Sequence, residues 1–212
     1  MGQTRRRAGR PRADEVGERV DELLSVTERV LVERGYGEAT LNLIAREAGV
    51  SKQTIYAKFG GKPGLIRAML QRMSERSRSV STFGADDDLP LHEGLLRRVR
   101  LLIELTNSAS GVAIITISRR EARTFPEFHE EMLAARRRYF VEPLRLYIDS
   151  LQRRGLAKPV DSLRMAEALV WAVSQDAVAA ASTGQWPPAS PEQDEASACF
   201  VARLFADALR PD

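Results

Sequence analysis

The stretch from Thr40 to Leu65, TLNLIAREAGVSKQTIYAKFGGKPGL, limits the fold more than any other part of this sequence. Apolar residues recur at three- and four-residue spacing on both sides of Gly49, which predicts two short helices with one buried face each. Thr40 and Ser51 stand just before these helices, where a hydroxyl can accept a backbone N–H of the first turn. Gly49 follows the first helix, at a position where helices commonly end in a left-handed residue.

The second of these helices carries polar and basic side chains away from its apolar edge. They are Lys52, Gln53, Thr54, Tyr56 and Lys58. A helix, a glycine turn and a second helix with such a face are typical of a helix-turn-helix DNA reader. Lys suits guanine acceptors, Gln suits adenine and a Thr methyl suits thymine, so Lys52, Gln53 and Thr54 are the predicted base contacts.

At these residues the chain resembles the amino-terminal signature of the TetR family of one-component transcriptional regulators, in its AcrR-like form. The matching positions are Ile44, Ala45, Ala48, Gly49, Val50, Ser51, Thr54, Tyr56, Phe59, Lys62 and Leu65. The turn Gly35-Tyr36-Gly37 fits the same pattern, so the resemblance runs from about Val20 to Leu65, under a third of the chain. Lys58 departs from the pattern, because the family usually carries His there, although the cation is kept.

The resemblance implies three parts: a flexible basic arm over residues 1–13, a helix-turn-helix DNA-binding domain over 14–61, and a ligand-binding and dimerisation domain over 62–212. Phosphate contacts fix a protein's register on DNA without reading its sequence. The side chains expected to make them are Thr40, Tyr56, Lys58 and Lys62. Ser51 is expected to lie in the major groove with the start of the second helix, although its role as a helix cap competes with a DNA contact.

A cluster of arginines at the amino terminus gives the arm its charge. It comprises Arg5, Arg6, Arg7, Arg10 and Arg12, with no acidic residue among them, whereas the whole chain has a net charge of only +3. Such a block is disordered in isolation and attracts anions. The Gly9-Arg10-Pro11 core predicts a hook that enters the minor groove of DNA. The alternative is a solubilising tail.

The remainder of the chain predicts an all-α body, because Ala, Leu, Glu and Arg dominate and aromatic residues make up only 6%. Together with the helix-turn-helix domain over 14–61, which is called the head below, the apolar spacing predicts about nine helices in the chain. The run 111–118 has strand propensity, but without a second strand to pair with it we expect a short buried helix. Pro143 is expected to kink or split a long helix over 125–154.

The last two predicted helices, 162–183 and 191–209, are the expected dimer interface. The first is apolar almost all the way round and needs two partners, one of them outside the subunit. Two such helices per chain predict a two-fold, four-helix interface in a homodimer, and the resemblance implies the same place for it.

The expected function is that of a homodimeric repressor, released from a palindromic operator in double-stranded DNA by a small-molecule effector. An apolar pocket lining predicts a hydrophobic or planar effector. The candidate pocket residues, for each of which a place in the core is the favoured alternative, are Met69, Met73, Phe83, Phe128, Tyr139, Tyr147 and Trp171.

Features of enzymes and membrane proteins are scarce in this sequence. His92 and His129 have no metal-ligand spacing, and neither a phosphate loop nor a nucleophile elbow occurs, so we expect no catalytic residue, cofactor or metal. The single Cys199 and the lack of an apolar run of membrane-spanning length favour a cytoplasmic location and no membrane partner. The rival hypothesis is an architectural DNA-binding protein, against which the large body argues.

Overall fold

The computed structural model describes residues 13–76, 88–184 and 187–211. These residues form helices and no strand, which confirms the predicted all-α fold. The arm arginines Arg5, Arg6, Arg7, Arg10 and Arg12, and Phe83, lie outside the described residues. The helices are α1 (Ala13–Glu38), α2 (Leu41–Glu47), α3 (Lys52–Phe59), α4 (Lys62–Arg76), α5 (Leu91–Thr106), α6 (Ala109–Glu121), α7 (Pro126–Arg136), α8 (Glu142–Arg153), α9 (Ser162–Val173), α10 (Gln175–Thr183) and α11 (Pro191–Leu209).

Helices α1 to α3 occupy the range predicted as the head, and their ends follow the signals in the sequence. The regular part of α1 breaks at Gly35, whose φ of 80° is left-handed. The Thr40 hydroxyl caps α2 by accepting from Leu43 N at 3.2 Å, and the Ser51 hydroxyl caps α3 by accepting from Thr54 N at 3.0 Å. Both N-caps are therefore confirmed.

The predicted long helix over 125–154 is divided between α7 and α8 by a π-helical turn, Arg137–Val141. In this turn Glu142 N–H donates to Arg137 O, five residues back. Pro143 has no N–H, and its ring would clash with the carbonyl four residues earlier in a regular helix. The extra residue in the turn relieves that clash, so the break falls just before the proline.

The predicted helix over 162–183 is likewise divided, into α9 and α10, at Ser174. The Ser174 hydroxyl donates to Val170 O at 2.6 Å, a bond that bends helices. The run 111–118 lies inside α6, so the helical alternative was correct and the strand alternative is excluded. No single helix in the described ranges is long and apolar enough to cross a membrane; the pair α5 and α6, bent by 67°, passes that test by length and composition alone.

The core consists chiefly of two hydrophobic clusters. The body cluster takes its buried side chains mainly from α5, α8, α9 and α11. The head cluster contains the buried faces of α1 to α4 and also Ile114, Ile117 and Phe128 from α6 and α7. Helices α6 and α7 therefore contribute side chains to the core of the head, although they lie far from it in the sequence.

Candidate nucleic-acid interface

Helix α3 is attached to the head by one side and exposes the other. Ile55 is completely buried in the head cluster and Phe59 is partly buried against it. The intervening positions Lys52, Gln53 and Lys58 are exposed. A helix of this kind can insert its exposed face into a major groove without loss of core packing.

The turn between α2 and α3 is held by backbone hydrogen bonds. Val50 N donates to Ala45 O at 3.0 Å, and Gly49 N donates to Arg46 O at 3.3 Å. Gly49 has a φ of 64°, the left-handed conformation that the sequence predicts for it. An exposed salt bridge of 2.8 Å between Arg29 and Glu47 also joins α1 to α2.

Two of the predicted DNA contacts interact with each other. The hydroxyls of Ser51 and Thr54 are 2.7 Å apart, within hydrogen-bond distance, while Ser51 also accepts the backbone N–H of Thr54. The structure therefore places Ser51 mainly as a cap, which restrains Thr54 at the exposed start of α3. Thr40 similarly caps α2 and is itself exposed.

Tyr56 is 52% exposed, which is unusual for an aromatic side chain on a packed helix. The Lys52 ammonium lies 5.8 Å from the centre of its ring, at the edge of the range for a cation–π contact. Lys52, Gln53, Thr54, Tyr56 and Lys58 therefore belong to one exposed helix surface, as the sequence predicts, and their individual DNA contacts stay predictions.

Lys62 is placed differently from the other predicted phosphate contacts. Its ammonium donates to Tyr36 O and lies 3.7 Å from the centre of the Tyr36 ring. Burial lowers the pKa of Lys62, and this effect is opposed by the charges of Glu121 and Glu127. The structure thus uses this cation inside the protein, and its phosphate contact stays a prediction.

The candidate pocket residues do not form one group. Met69 and Phe128 are buried in the head cluster, and Met73 and Tyr139 pack against it. Tyr139 also borders a cavity of about 190 Å³ between α4 and α7. The other side chains at this cavity are Arg67, Leu70, Glu131, Ala134, Ala135 and Arg138.

Tyr147 and Trp171 lie elsewhere. Tyr147 is buried in the body cluster, where the Arg98 guanidinium lies 3.3 Å from the centre of its ring. Trp171 is 51% exposed, and the Arg136 guanidinium carbon lies 4.3 Å from the centre of its ring. Burial lowers the pKa of Arg136. The structure thus brings only part of the predicted set near the α4–α7 cavity.

Sequence reasoning missed Glu121, the last residue of α6. Its carboxylate accepts hydrogen bonds from the backbone N–H groups of Tyr36 and Gly37, at 3.2 and 2.9 Å. No motif marks this residue, and a separation of more than eighty positions along the chain hides the contact. The only relevant signal is the pair of glycines around Tyr36, which indicates that another element approaches the turn closely.

Comparison with known proteins gives the same interpretation of the head. Residues 23–69 match the family model described as bacterial regulatory proteins, tetR family. This range includes α2 and α3 with their turn, most of α1 and the first half of α4. The family model therefore covers the elements that form the exposed reading surface.

Two relatives are named as transcriptional regulators. The HTH-type transcriptional regulator YvkB of Bacillus subtilis is 32% identical over 105 residues, 50% of this chain and 53% of the relative. The HTH-type transcriptional activator FasR of Mycolicibacterium smegmatis is 46% identical over 55 residues, 26% of this chain and 25% of the relative. The alignments thus span between about a quarter and a half of these relatives' length.

The fold of the whole chain also has solved counterparts. A TetR transcriptional regulator from Agrobacterium tumefaciens superposes with a TM-score of 0.74 over 92% of this chain and 95% of the other, at 21% identity. That similarity shows a shared fold from head to body, while the sequence match is confined mainly to the head. The signature around α2 and α3 and the family model over residues 23–69 identify the DNA-binding domain of this chain as one of the TetR family of bacterial regulatory proteins, and the whole chain shares the fold of a solved TetR regulator.

Proposed function

We propose that this protein is a sequence-specific DNA-binding transcriptional regulator that acts as a homodimeric repressor and is released from its operator by a small molecule. The observation that carries the proposal is the exposed polar surface of α3, anchored by the buried Ile55 and capped by Ser51. A regulator of this kind acts on DNA in the cytoplasm.

DNA recognition divides into base contacts and phosphate contacts. Lys52, Gln53 and Thr54 read base edges in the major groove, because their side chains occupy the exposed amino-terminal part of α3. The phosphate contacts come from Thr40, Tyr56 and Lys58, with Lys62 as a further candidate. The arm arginines, Arg5, Arg6, Arg7, Arg10 and Arg12, add minor-groove contacts and electrostatic attraction to the duplex.

Selection of bound duplexes from a random DNA pool at physiological salt tests the proposal. A dimeric reader selects a palindrome with half-sites about one helical turn, ~34–36 Å, apart. Enrichment of A·T content without a motif would instead support the rival hypothesis of an architectural protein whose arm dominates binding. Transcription from a promoter that carries the selected motif then separates a repressor from an activator, the role named for the FasR relative.

The dimer is proposed to form through the exposed side of α11 together with α9 and α10. Phe200 and Leu204 lie one turn apart on α11 and are 69% and 52% exposed, which leaves a large apolar surface in contact with water. A second copy of the chain covers this surface in a two-fold arrangement. The rest of α11 packs on α5 and α9, so its outer side is available to a partner.

A Phe200→Glu, Leu204→Glu double variant tests the interface by sedimentation. We expect the wild-type protein to have twice the chain mass of 23.6 kDa and the double variant to have the single mass. Leu133→Glu is the matched control, since Leu133 is a leucine of similar exposure on α7. A double variant that stays dimeric would place the interface elsewhere.

The effector is proposed to bind at the α4–α7 cavity, next to the helix that follows the DNA-reading head. Its lining combines the apolar surfaces of Leu70, Ala134, Ala135 and Tyr139 with the charged side chains of Arg67, Glu131 and Arg138. The apolar part of this lining suits a small hydrophobic molecule. A ligand shifts the DNA-binding equilibrium only by its different affinity for the two states, and we propose that it acts through α4, which contributes Arg67 and Leu70 to the cavity.

An Ala135→Leu variant narrows the cavity and tests this location, with Ala109→Leu, at the exposed position where α6 begins, as its control. We expect hydrophobic compounds that release wild-type protein from its operator to lose that effect on Ala135→Leu. Release that is unchanged in this variant would exclude the cavity as the effector site.

A further inference from the structure

The turn between α1 and α2 lies where the reading head meets the rest of the molecule. It consists of Gly35, Tyr36 and Gly37, and it ends three positions before Thr40, the N-cap of α2. The direction in which the chain leaves this turn determines the orientation of α2, and through the tight α2–α3 turn also that of α3. Any group that fixes the turn therefore affects how the reading surface is presented.

The backbone of this turn is held by side chains that come from outside the head helices. The Glu121 carboxylate, at the end of α6, accepts from Tyr36 N at 3.2 Å with Oε1 and from Gly37 N at 2.9 Å with Oε2. From α4, Lys62 donates to Tyr36 O. Consecutive polar groups of the turn are thus satisfied by a carboxylate and an ammonium.

The α1–α2 turn and the side chains that hold it, Glu121 and Lys62, are called the joint below. The Tyr36 side chain adds an aromatic contact to this joint. Its ring stacks on Phe128 with centroids 4.6 Å apart and meets the edge of Phe125 at 5.2 Å. Both phenylalanines lie at the start of α7 or just before it. Burial, and next the charge of Glu127, raise the pKa of Tyr36 to about 12, so the ring stays neutral in this environment.

Gly35 allows the carboxylate to approach this closely. A Cβ at Gly35 would lie 2.5 Å from Glu121 Oε1, and the φ of 80° is itself unfavourable for any other residue. The side chain of Glu121 is only 12% exposed, with Arg120 Nη2 at 3.7 Å from Oε1. Hydrogen bonds to a carboxylate in such a partly buried place are stronger than those at the surface.

We infer that Glu121 is a positioning residue for DNA binding, which fixes the α1–α2 turn and so sets the orientation of α3 relative to α6 and α7. This inference rests on the proposed function, since it assigns to one carboxylate the mechanical link between the body and the reading surface. Glu121 itself touches no DNA. Its effect on affinity arises from the cost of reordering the head.

The Glu121→Gln variant tests this role, because the amide keeps the size of the side chain but replaces one acceptor oxygen by an NH₂ that cannot accept. We expect roughly tenfold weaker binding to the selected operator, equal to the loss of about one charge-assisted hydrogen bond. The slope of log affinity against log salt should not change, since no phosphate contact is removed. Glu130→Gln, at an exposed position of α7, is the control.

A distance measurement without DNA separates this inference from the proposed function. Spin labels at Asn42→Cys on α2 and Arg153→Cys on α8, both exposed positions, report the head-to-body distance in a Cys199→Ser background. Dilution with unlabelled protein restricts the signal to one subunit. We expect a narrow distribution for the parent protein and a broader or shifted one for Glu121→Gln.

Hydrogen exchange in the unmodified protein keeps the inference testable even if Glu121→Gln does not fold. The amides of Tyr36 and Gly37 should exchange slowly because they donate to Glu121. Rapid exchange at both amides would overturn the inference that Glu121 fixes the turn. An operator affinity and a distance distribution that Glu121→Gln leaves unchanged would also overturn it. Failure of the parent protein to select any DNA motif would instead reject the proposed function. The distance measurement would still test whether Glu121 fixes the orientation of the head.

Discussion

The reading surface of α3 and the joint beneath the α1–α2 turn use the same kinds of side chain in opposite ways. On α3, Lys52 and Gln53 are exposed to solvent. At the joint, the carboxylate of Glu121 and the ammonium of Lys62 are both directed at the protein backbone. The first region has polar groups available for a partner, and the second uses them to fix a conformation.

The comparison shows that charged and polar side chains can either remain available to a partner or hold the backbone in one conformation, depending on their burial. Exposed charges are screened and contribute little to stability, so α3 can vary its side chains with small effects on the fold. Buried polar groups must be satisfied, so the joint tolerates few changes. Variants at the joint should therefore alter stability and orientation, whereas variants on α3 should alter affinity and base preference.

The largest effect is expected from Phe128→Ala, which breaks the joint. Phe128 is 1% exposed and stacks on Tyr36, so its removal leaves a cavity between α7 and the head. We expect the free energy of unfolding to fall by about 3–5 kcal/mol, measured by chemical denaturation. Leu133→Ala, on the exposed side of α7, should change it by much less. A small loss for Phe128→Ala would mean that the head does not depend on α7.

Gln53→Ala should leave the fold intact and change what α3 reads. An exposed glutamine contributes little to stability, but a bidentate contact to adenine discriminates among bases by ~1–3 kcal/mol. We expect repeated selection from a random DNA pool to show relaxed preference at one base pair of each half-site. An unchanged motif would remove Gln53 from the set of base contacts.

Lys58 and Lys62 provide a direct comparison between the two regions. Lys58→Ala should weaken binding to all sequences alike and reduce the slope of log affinity against log salt by about 1, because one phosphate contact is lost. Lys62→Gln should lower stability but keep the slope, because its ammonium is bound to Tyr36. An equal loss of slope in Lys62→Gln would instead support the phosphate contact predicted from the sequence.

The smallest effect is expected at the salt bridge between α4 and α7. Arg67 donates to both oxygens of Glu131, and this hydrogen bonding holds the pKa of Glu131 below its ordinary value of 4.5. A lowered carboxyl pKa contributes stability above the unfolded pKa, and that stability is lost as pH falls through the folded pKa.

Glu131→Gln should therefore cost little near neutral pH and flatten the loss of stability below about pH 4.5. The contribution is below about 1 kcal/mol, since Arg67 is half exposed and the pair is screened. Urea denaturation at neutral and acidic pH measures it, with Glu130→Gln as the control. An acid profile identical to that of the parent protein would show that the salt bridge contributes nothing measurable.

Much of the head could be predicted because its signals are local. The caps Thr40 and Ser51, the left-handed Gly49 and the buried Ile55 each follow from residues within one or two turns of each other. The exposed surface of α3 follows from the same periodicity. For such features the sequence contains both partners of the interaction within a short window.

Other features depended on contacts that a local pattern cannot contain. Gly64 looks like a weak start for α4, yet a Cβ there would run into Phe59 O at the end of α3, so the glycine permits the close packing of the two helices. The candidate pocket residues Tyr147 and Trp171 share the apolar character of Met69 and Tyr139, although they lie in other parts of the body. Apolar character alone does not distinguish a pocket from a core.

By itself, the sequence determined the helical class, the position of the helix-turn-helix and the residues on the surface of α3, because hydrophobic spacing and capping act over a few residues. Only the tertiary structure decided that α6 and α7 complete the core of the head, that Lys62 faces inward and that Glu121 holds a turn eighty-four residues away. The physical reason is that these contacts satisfy buried polar groups and fill space between distant segments, and their partners are chosen by the packing of whole helices.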